Sequence, residues 1–208
     1  MTEDLGNEVL LGVLPHVPFD GWSDRSLKAG ASDIAMSIAT MQALVPGGGL
    51  ELIELHNTAM DDEMSCRLSE QDGGVMRIRN RIAFAVRLRL ELGAGEREAV
   101  RRGVTHLALP QNALVGTRLL YRTVDAIWLA VGDAATDWNF YSKRGLLAGV
   151  YVSSVLFWLQ DESPESEETW AFIDRRIADV MKVPQAKARL GRPFNPFQHA
   201  PKPQAPRL

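Results

Sequence analysis

Apolar residues recur at helical spacing along almost the whole chain. Leu5, Val9, Leu10, Val13 and Leu14 form the first stripe, which Pro15-His16-Val17-Pro18 stops. Ser23 or Asp24 is placed to cap a short second helix reaching about Ala31, and Ser32 or Asp33 a third through Ile34, Ile38 and Met41. Pro46 and Gly47-Gly48-Gly49 break the pattern. A long helix follows, with Leu52, Leu55, Met60, Met64 and Leu68 on its core side, ending near Gly73-Gly74. Val75 to Leu92 reads two ways. Arg-Ile-Arg-Asn-Arg-Ile and Val-Arg-Leu-Arg-Leu alternate as a half-buried strand does, whereas Ile78, Ile82, Ala85 and Val86 fit a helical stripe. The segment has 18 residues without a turn residue, so length decides for a helix. Further helices are predicted over Glu96–Leu109, Asn112–Val131 and Asp137–Gln160, and from Ser163-Pro164 to about Lys182. The pattern predicts an all-α chain of about nine helices and no strand.

Three regions follow from this reading: short helices over 1–46, longer ones over 47–181, and a tail over 182–208. The tail holds six of the eleven prolines and six basic residues with no acid, so an extended conformation is expected. Three short helices ahead of longer ones, in a helical chain of this length, are the plan of a TetR-type repressor, whose second and third helices read the major groove. A DNA-reading module needs a basic surface. Between Met1 and Glu63, however, only Arg25 and Lys28 stand against eleven acidic residues. The expected recognition helix, Ile34 to Met41, has no lysine, arginine, asparagine or glutamine to bond a base edge. A degenerate helix-turn-helix is predicted, with no nucleic-acid partner.

Composition bounds the remaining possibilities. The 208 residues are 46% hydrophobic and 24% charged, which suits one soluble domain, or a core domain with a small appendage. The single cysteine, Cys66, excludes an internal disulfide and a multi-cysteine metal site. Met1-Thr2-Glu3-Asp4 lacks the basic residues of a targeting segment. The longest nearly uncharged run, Gly145 to Gln160, has 16 residues, short of the ~20 that cross a bilayer. A cytoplasmic location is therefore expected, with peripheral contact to the inner face of a membrane as an option. The net charge of −3 divides unevenly: the tail carries +6 and the rest −9.

Catalytic signatures are thin, and a non-enzymatic role without a cofactor or metal is expected. Gly47-Gly48-Gly49 lacks the Lys-Ser/Thr of a phosphate loop, and Gly93-Ala94-Gly95 follows a helix rather than a strand. His16, His56, His106 and His199 have no metal-ligand spacing. Arg77, Arg79, Arg81, Arg87 and Arg89 read as a solvated helix surface balanced by Glu91, Glu96 and Glu98, with an anion-binding face as the alternative. Thr117 to Asp161 is the segment densest in large side chains. Gly145 to Leu159 is apolar on every face, which calls for burial all round, in a subunit interface or against a lined cavity. Asp137-Trp138-Asn139-Phe140-Tyr141 packs three aromatics into four positions, which predicts an exposed aromatic patch and hence a partner surface.

Several of these segments, in the same order, resemble the coenzyme Q biosynthesis accessory family known as coenzyme Q protein nine. They are His16-Val17-Pro18-Phe19-Asp20-Gly21-Trp22, Leu50-Glu51-Leu52-Ile53 and Leu107-Ala108-Leu109-Pro110-Gln111-Asn112. The most specific is Val124-Asp125-Ala126-Ile127-Trp128 leading to Gly132-Asp133-Ala134-Ala135-Thr136-Asp137-Trp138-Asn139-Phe140-Tyr141-Ser142-Lys143-Arg144. Trp158-Leu159-Gln160-Asp161 and Thr169-Trp170-Ala171-Phe172-Ile173-Asp174-Arg175-Arg176-Ile177 complete the set, over about 165 residues.

The resemblance implies a TetR-like fold without DNA binding, a homodimer formed through the last helices, and a core cavity holding an isoprenoid lipid or phospholipid. It further implies presentation of an isoprenoid quinone intermediate to the di-iron demethoxyubiquinone hydroxylase. Leu88, Leu114, Leu120, Trp128, Tyr151, Val155 and Trp158 are the side chains expected to line the cavity. Carried over by position, the hydroxylase-contacting patch centres on Ile127, Trp128, Asp137, Phe140, Tyr141 and Arg144. Two departures bear on this. Members commonly read Phe-Asn-Trp-Tyr where this chain has Trp138-Asn139-Phe140-Tyr141. Mitochondrial members also carry a C-terminal amphipathic helix on the membrane, for which the segment after Met181 is too rich in proline. The tail offers another route to an anionic membrane, through Lys187, Arg189 and Arg192 with Phe194 and Phe197 entering the interface. The competing reading is a TetR-type transcriptional regulator with a lipid-like effector.

Overall fold

A computed structural model describes residues 2–70, 76–132 and 139–190, and the side chains of 5–70, 76–132 and 144–180. Among the described residues every regular element is helical. The order is α1 (Thr2–Val13), α2 (Val17–Asp20), α3 (Asp24–Asp33), α4 (Ile38–Leu44), α5 (Gly48–Glu70), α6 (Ile78–Leu92), α7 (Arg97–Leu107), α8 (Ala113–Ala130), α9 (Asn139–Trp158) and α10 (Glu167–Leu190). Ten helices replace the nine expected because Pro15 to Pro18 does more than stop α1. Pro18 falls in the first turn of α2, where its missing N–H costs no hydrogen bond, and Val17 is buried.

The short helices follow their caps. Ser23 Oγ accepts from the Arg25 and Ser26 amides at 3.2 and 3.4 Å, and Ser26 Oγ accepts from the Ser23 amide at 3.2 Å, closing a capping box. α3 then runs through Ser32 and Asp33, the positions expected to cap the next helix. The turn passes through Ala35 in the left-handed region (φ 51°), and Ser37 caps α4 by accepting from the Thr40 amide at 3.0 Å. The would-be recognition helix thus begins four residues later than expected. It contains Gln42 but still no lysine or arginine.

Glycines at two places bring the backbone closer than side chains allow. A Cβ on Gly12 of α1 would sit 2.7 Å from the Gly30 carbonyl oxygen of α3, and one on Gly30 would sit 2.8 Å from Gly12 carbon. In the triple glycine, α5 starts at Gly48 itself. Gly49 lies so close to Trp22 that a Cβ would meet its carbonyl oxygen at 2.0 Å. These contacts seat α1 to α4 on α5 and form one apolar cluster of Val9, Val13, Trp22, Leu27, Met41 and Leu52, which reaches Ala99 and Leu119.

A second cluster joins α5, α6, α8, α9 and α10 through Met64, Val86, Val124, Ile127, Trp158 and Ile173. α6 confirms the helical reading of Val75–Leu92. Its alternation resolves into exposed Arg87, paired with Glu91 at 2.7 Å, and buried Leu88, Arg89 and Leu90. Arg89 is thereby corrected from a solvated surface residue to a core one. α9 buries Leu147, Val150, Tyr151, Val155 and Trp158 but leaves Gly145, Gly149, Val152 and Leu156 outside, so its apolar surface is covered on one side only.

α10 opens beyond a single 3-10 turn, Pro164–Ser166. Asp161 accepts from the Ser163 and Thr169 amides at 2.8 and 2.9 Å and from the Thr169 hydroxyl, while Ser163 Oγ accepts from the Glu168 amide at 3.1 Å. The helix continues past the expected end at Lys182 to Leu190. Only Pro184 of the tail's six prolines lies within it. The rest of 182–190 is rich in alanine, lysine, arginine and glutamine, strong helix formers, whereas Pro193 and the later prolines come after Leu190.

Candidate ligand cavity

α5, α6, α7, α8 and α9 enclose a cavity of about 260 Å³. Most of its wall is apolar: Ile53, Met60, Val100, Val104, Leu119, Leu120, Val155 and Trp158 line it. Ala108, Val152 and Leu156 are lining residues that are also exposed, which puts the mouth between the end of α7 and the outer face of α9. Gly103 and Gly116 widen it, since neither carries a side chain into the space.

The opposite end is polar. Arg89 and Asp61 are 5% and 1% exposed, and Arg89 Nε donates to Asp61 Oδ1 at 2.7 Å. Arg89 Nη2 donates to Asn57 Oδ1 at 3.0 Å, and Nη1 to the Met60 sulfur at 3.2 Å. The Thr123 hydroxyl bonds both Asp61 oxygens at 3.0 Å, and Asn57 Nδ2 donates to Asp61 Oδ2 at 3.2 Å. Burial pushes the Asp61 carboxyl above the usual carboxylate value, against Arg89, Thr123 and Arg122, which hold it down. Burial likewise pushes up the Tyr151 phenol, with the Arg89 charge opposing it. A second polar point is His56, whose Nε2 lies 2.7 Å from Glu96 and whose ring stands 5.3 Å from that of Trp22. Arg97 covers the Trp158 ring from outside at 4.6 Å and donates to the Asp161 carbonyl at 2.8 Å. Among the described residues no group of His, Cys, Asp and Glu side chains is arranged to hold a metal ion.

Of the residues expected to line a cavity, Leu120, Tyr151, Val155 and Trp158 do so. Leu88 and Trp128 are buried in the second core cluster away from it. Leu114 is 87% exposed, on the side of α8 opposite Gly116, Leu119, Leu120 and Thr123, so it cannot line it. The expected partner patch is rearranged too. Ile127 is fully buried and Trp128 nearly so, because they share the inward face of α8 with Val124. Arg144 is buried as well and pairs with Asp125, the motif residue that faces out. Asp137 lies outside the described residues, and Phe140 and Tyr141 belong to α9 with side chains outside the description. In the tail, Lys187 and Arg189 fall on α10, while Arg192, Phe194 and Phe197 are outside the described residues.

The polar end does not show in the sequence reading above, which places Arg89 on a solvated surface. Its signal was a charge at an apolar-stripe position on two neighbouring helices: Asp61 beside Met60 and Met64, and Arg89 seven residues after Ile82.

Residues 113–184 match the COQ9 family model. The chain is 33% identical over 188 residues to "Ubiquinone biosynthesis protein COQ9, mitochondrial" of Rattus norvegicus, across 87% of this chain and 60% of that protein. The Homo sapiens protein of the same name is 31% identical over 189 residues, across 87% and 59%. The chain belongs to the COQ9 family. A more distant COQ9 relative, from Dictyostelium discoideum, is 26% identical over 186 residues, across 86% of this chain and 61% of that one. The chain spans about three fifths of the length of these COQ9 relatives. Among solved structures, a TetR transcriptional regulator from Nitrosomonas europaea superposes with a TM-score of 0.69 at 17% identity, covering 86% of this chain and 98% of that one. The fold is therefore TetR-like, as the helix order predicted. The relatives are named mitochondrial, and the expected cytoplasmic location finds no support among them. Among the described residues no helix is long and apolar enough to cross a membrane.

Proposed function

We propose that this chain serves ubiquinone biosynthesis as a non-enzymatic, lipid-binding accessory protein that presents an isoprenoid quinone intermediate to the demethoxyubiquinone hydroxylase. One observation carries the reading: an apolar cavity of about 260 Å³ opens beside the uncovered apolar face of α9. An engineered apolar cavity of about 150 Å³ stays dry and binds benzene. This one is therefore large enough for one end of a prenylated ring but not for a long polyprenyl chain. Each CH₂ removed from water contributes about 0.8 kcal/mol, so even partial insertion favours extraction of a nearly insoluble quinone. Family membership supplies the pathway, since the relatives are named as ubiquinone biosynthesis proteins.

Two further parts belong to the reading. A second copy of the chain covers Gly145, Gly149, Val152 and Leu156 of α9, giving a homodimer that extends the apolar wall beyond the mouth. The hydroxylase docks on the segment that carries Asp137, Phe140 and Tyr141. Tyr141→Ala then weakens hydroxylase binding in a pull-down while the melting temperature is kept; unchanged binding removes this part. Loss of the gene tests the pathway role. Demethoxyubiquinone accumulates if the reading is right, and an unaltered quinone pool contradicts it.

The regulator reading draws on the fold likeness to a TetR protein. Against it stand the acidic N-terminal region and an α4 without lysine or arginine. A gel shift with the DNA upstream of the gene decides between them: a retarded band that competes with specific DNA supports the regulator.

A further inference from the structure

The polar end of the cavity is unusual for a pocket that would hold only hydrocarbon. Tyr151 is 9% exposed and lines the space, and among the described residues no group hydrogen-bonds its hydroxyl. Arg89 stands nearby, close enough for its charge to act on the phenol. Its Nη1 is met by the Met60 sulfur at 3.2 Å, a weak acceptor. Each of the two therefore gains when a stronger acceptor enters the cavity: the hydroxyl has no partner among the described residues, and Nη1 has only the sulfur.

We propose that the cavity takes its ligand ring first, with the Tyr151 hydroxyl and the Arg89 guanidinium forming a subsite for the acceptor oxygens of a neutral quinone-type ring. This rests on the lipid-binding reading and adds the orientation of the ligand and the residues that meet its head group. Three observations match this head group to the site. The site offers donors, so the ligand brings carbonyl or ether oxygens. The Arg89 charge is already compensated by Asp61 at 2.7 Å, so a carboxylate or phosphate would lose its hydration and meet the Asp61 charge. The volume of about 260 Å³ suits a substituted ring and the start of its side chain. The remaining isoprenoid leaves past Val152 and Leu156, along the apolar outer face of α9. In the opposite orientation, hydrocarbon would lie against the Tyr151 hydroxyl and leave that donor unmet. Burial, which raises the phenol pKa, keeps Tyr151 a donor throughout the neutral range.

The experiment measures binding to the full chain by calorimetry with three probes: a dimethoxy-methyl-benzoquinone bearing one prenyl unit, the ringless isoprenoid hydrocarbon myrcene, and palmitate. The unmodified chain is expected to prefer the quinone to palmitate. Tyr151→Phe is expected to weaken the quinone about fivefold and to leave myrcene unchanged. If Tyr151→Phe weakens neither probe, or both equally, the subsite is overturned while lipid binding stands. If the unmodified chain binds none of the probes, the lipid-binding reading itself falls. A second measurement does not depend on altering Tyr151. The chain has three tyrosines, so Tyr121→Phe with Tyr141→Phe leaves fluorotyrosine labelling to Tyr151 alone. The quinone is expected to move its fluorine resonance well beyond any shift caused by myrcene. Equal shifts overturn the ring-first orientation.

Discussion

Replacing Arg89 by methionine is the most severe test of the polar end. Arg89 and Asp61 are both buried, their charges meet at 2.7 Å, and the pair ties α6 to α5. Removing one partner of such a pair typically costs about 3–5 kcal/mol, because the other charge is stranded. Here the stranded Asp61 keeps the Thr123 hydroxyl, the Asn57 amide and the half-exposed Arg122, whose Nε is 3.7 Å away. That residual support places the cost at the lower end, about 3 kcal/mol. For a chain of this size it corresponds to a fall in melting temperature of about 6–12 °C. The pH dependence carries a further signature. Burial already raises the Asp61 pKa above 3.8 in the unmodified chain. Loss of Arg89, which holds it down, raises it further, so the folded variant binds the proton more tightly. The deficit is then largest at neutral pH and shrinks as pH falls toward the raised pKa. The double variant Asp61→Leu/Arg89→Met removes both charges and should return to within about 1 kcal/mol of the unmodified chain. Calorimetric and chemical melts from pH 5 to 8 measure all three. A single-variant cost below about 1 kcal/mol, or one independent of pH, refutes a buried ion pair at this position.

Other outcomes follow from the same structure. Gly30→Ala places a Cβ 2.8 Å from the α1 backbone, which cannot step aside as a side chain does, and should cost about 1–3 kcal/mol in a urea melt. A melt like that of the unmodified chain would mean α1 and α3 do not cross there. The Asp161 carboxyl feels burial, which raises its pKa, but the bonds from Ser163 and Thr169 outweigh it and bring the value to about 2. Its contribution, about 1–2 kcal/mol, is therefore present above the unfolded value of about 3.8 and lost as pH falls from there toward 2. Asp161→Asn should flatten the acid limb of stability between those values, and an unchanged limb counts against this cap. A chain ending at Met181 keeps Ile173 and Ile177 in the core but lacks all the basic tail. It should float less with anionic liposomes than the full chain, by about 1 kcal/mol for each basic residue that approaches the surface. Equal flotation removes the tail from any membrane role.

Most helices are legible from their apolar spacing and from the residues that bound them, as with Ser23 before α3 and Pro110 after α7, whereas four-residue α2 is too short to carry such a stripe. The acidic N-terminal surface was legible as well, since charge needs no coordinates. What the linear pattern hid were meetings between distant segments. Ser37 rather than Ser32 caps α4 because α3 continues through Ser32 and Asp33, beyond its crossing with α1 at Gly12–Gly30. Gly49 reads as a helix breaker, yet its role is to admit the Trp22 carbonyl. In the cavity, Tyr151, Val155 and Trp158 of α9 lie where the family resemblance implies, whereas Leu114 of α8 is on the exposed side. An alternating segment such as Val86-Arg87-Leu88-Arg89-Leu90 does not reveal which arginine turns inward. Asp61, on another helix, decides that.

Whether the cavity carries an isoprenoid quinone can be read from the protein itself. Native mass spectrometry of the full chain, gently purified from its own cells without detergent, tests it most directly, with extraction and identification of whatever remains bound. A dimer is expected, retaining one prenylated quinone or quinone precursor per chain, displaced by the single-prenyl benzoquinone. A chain that arrives free of lipid and takes up no added quinone contradicts it.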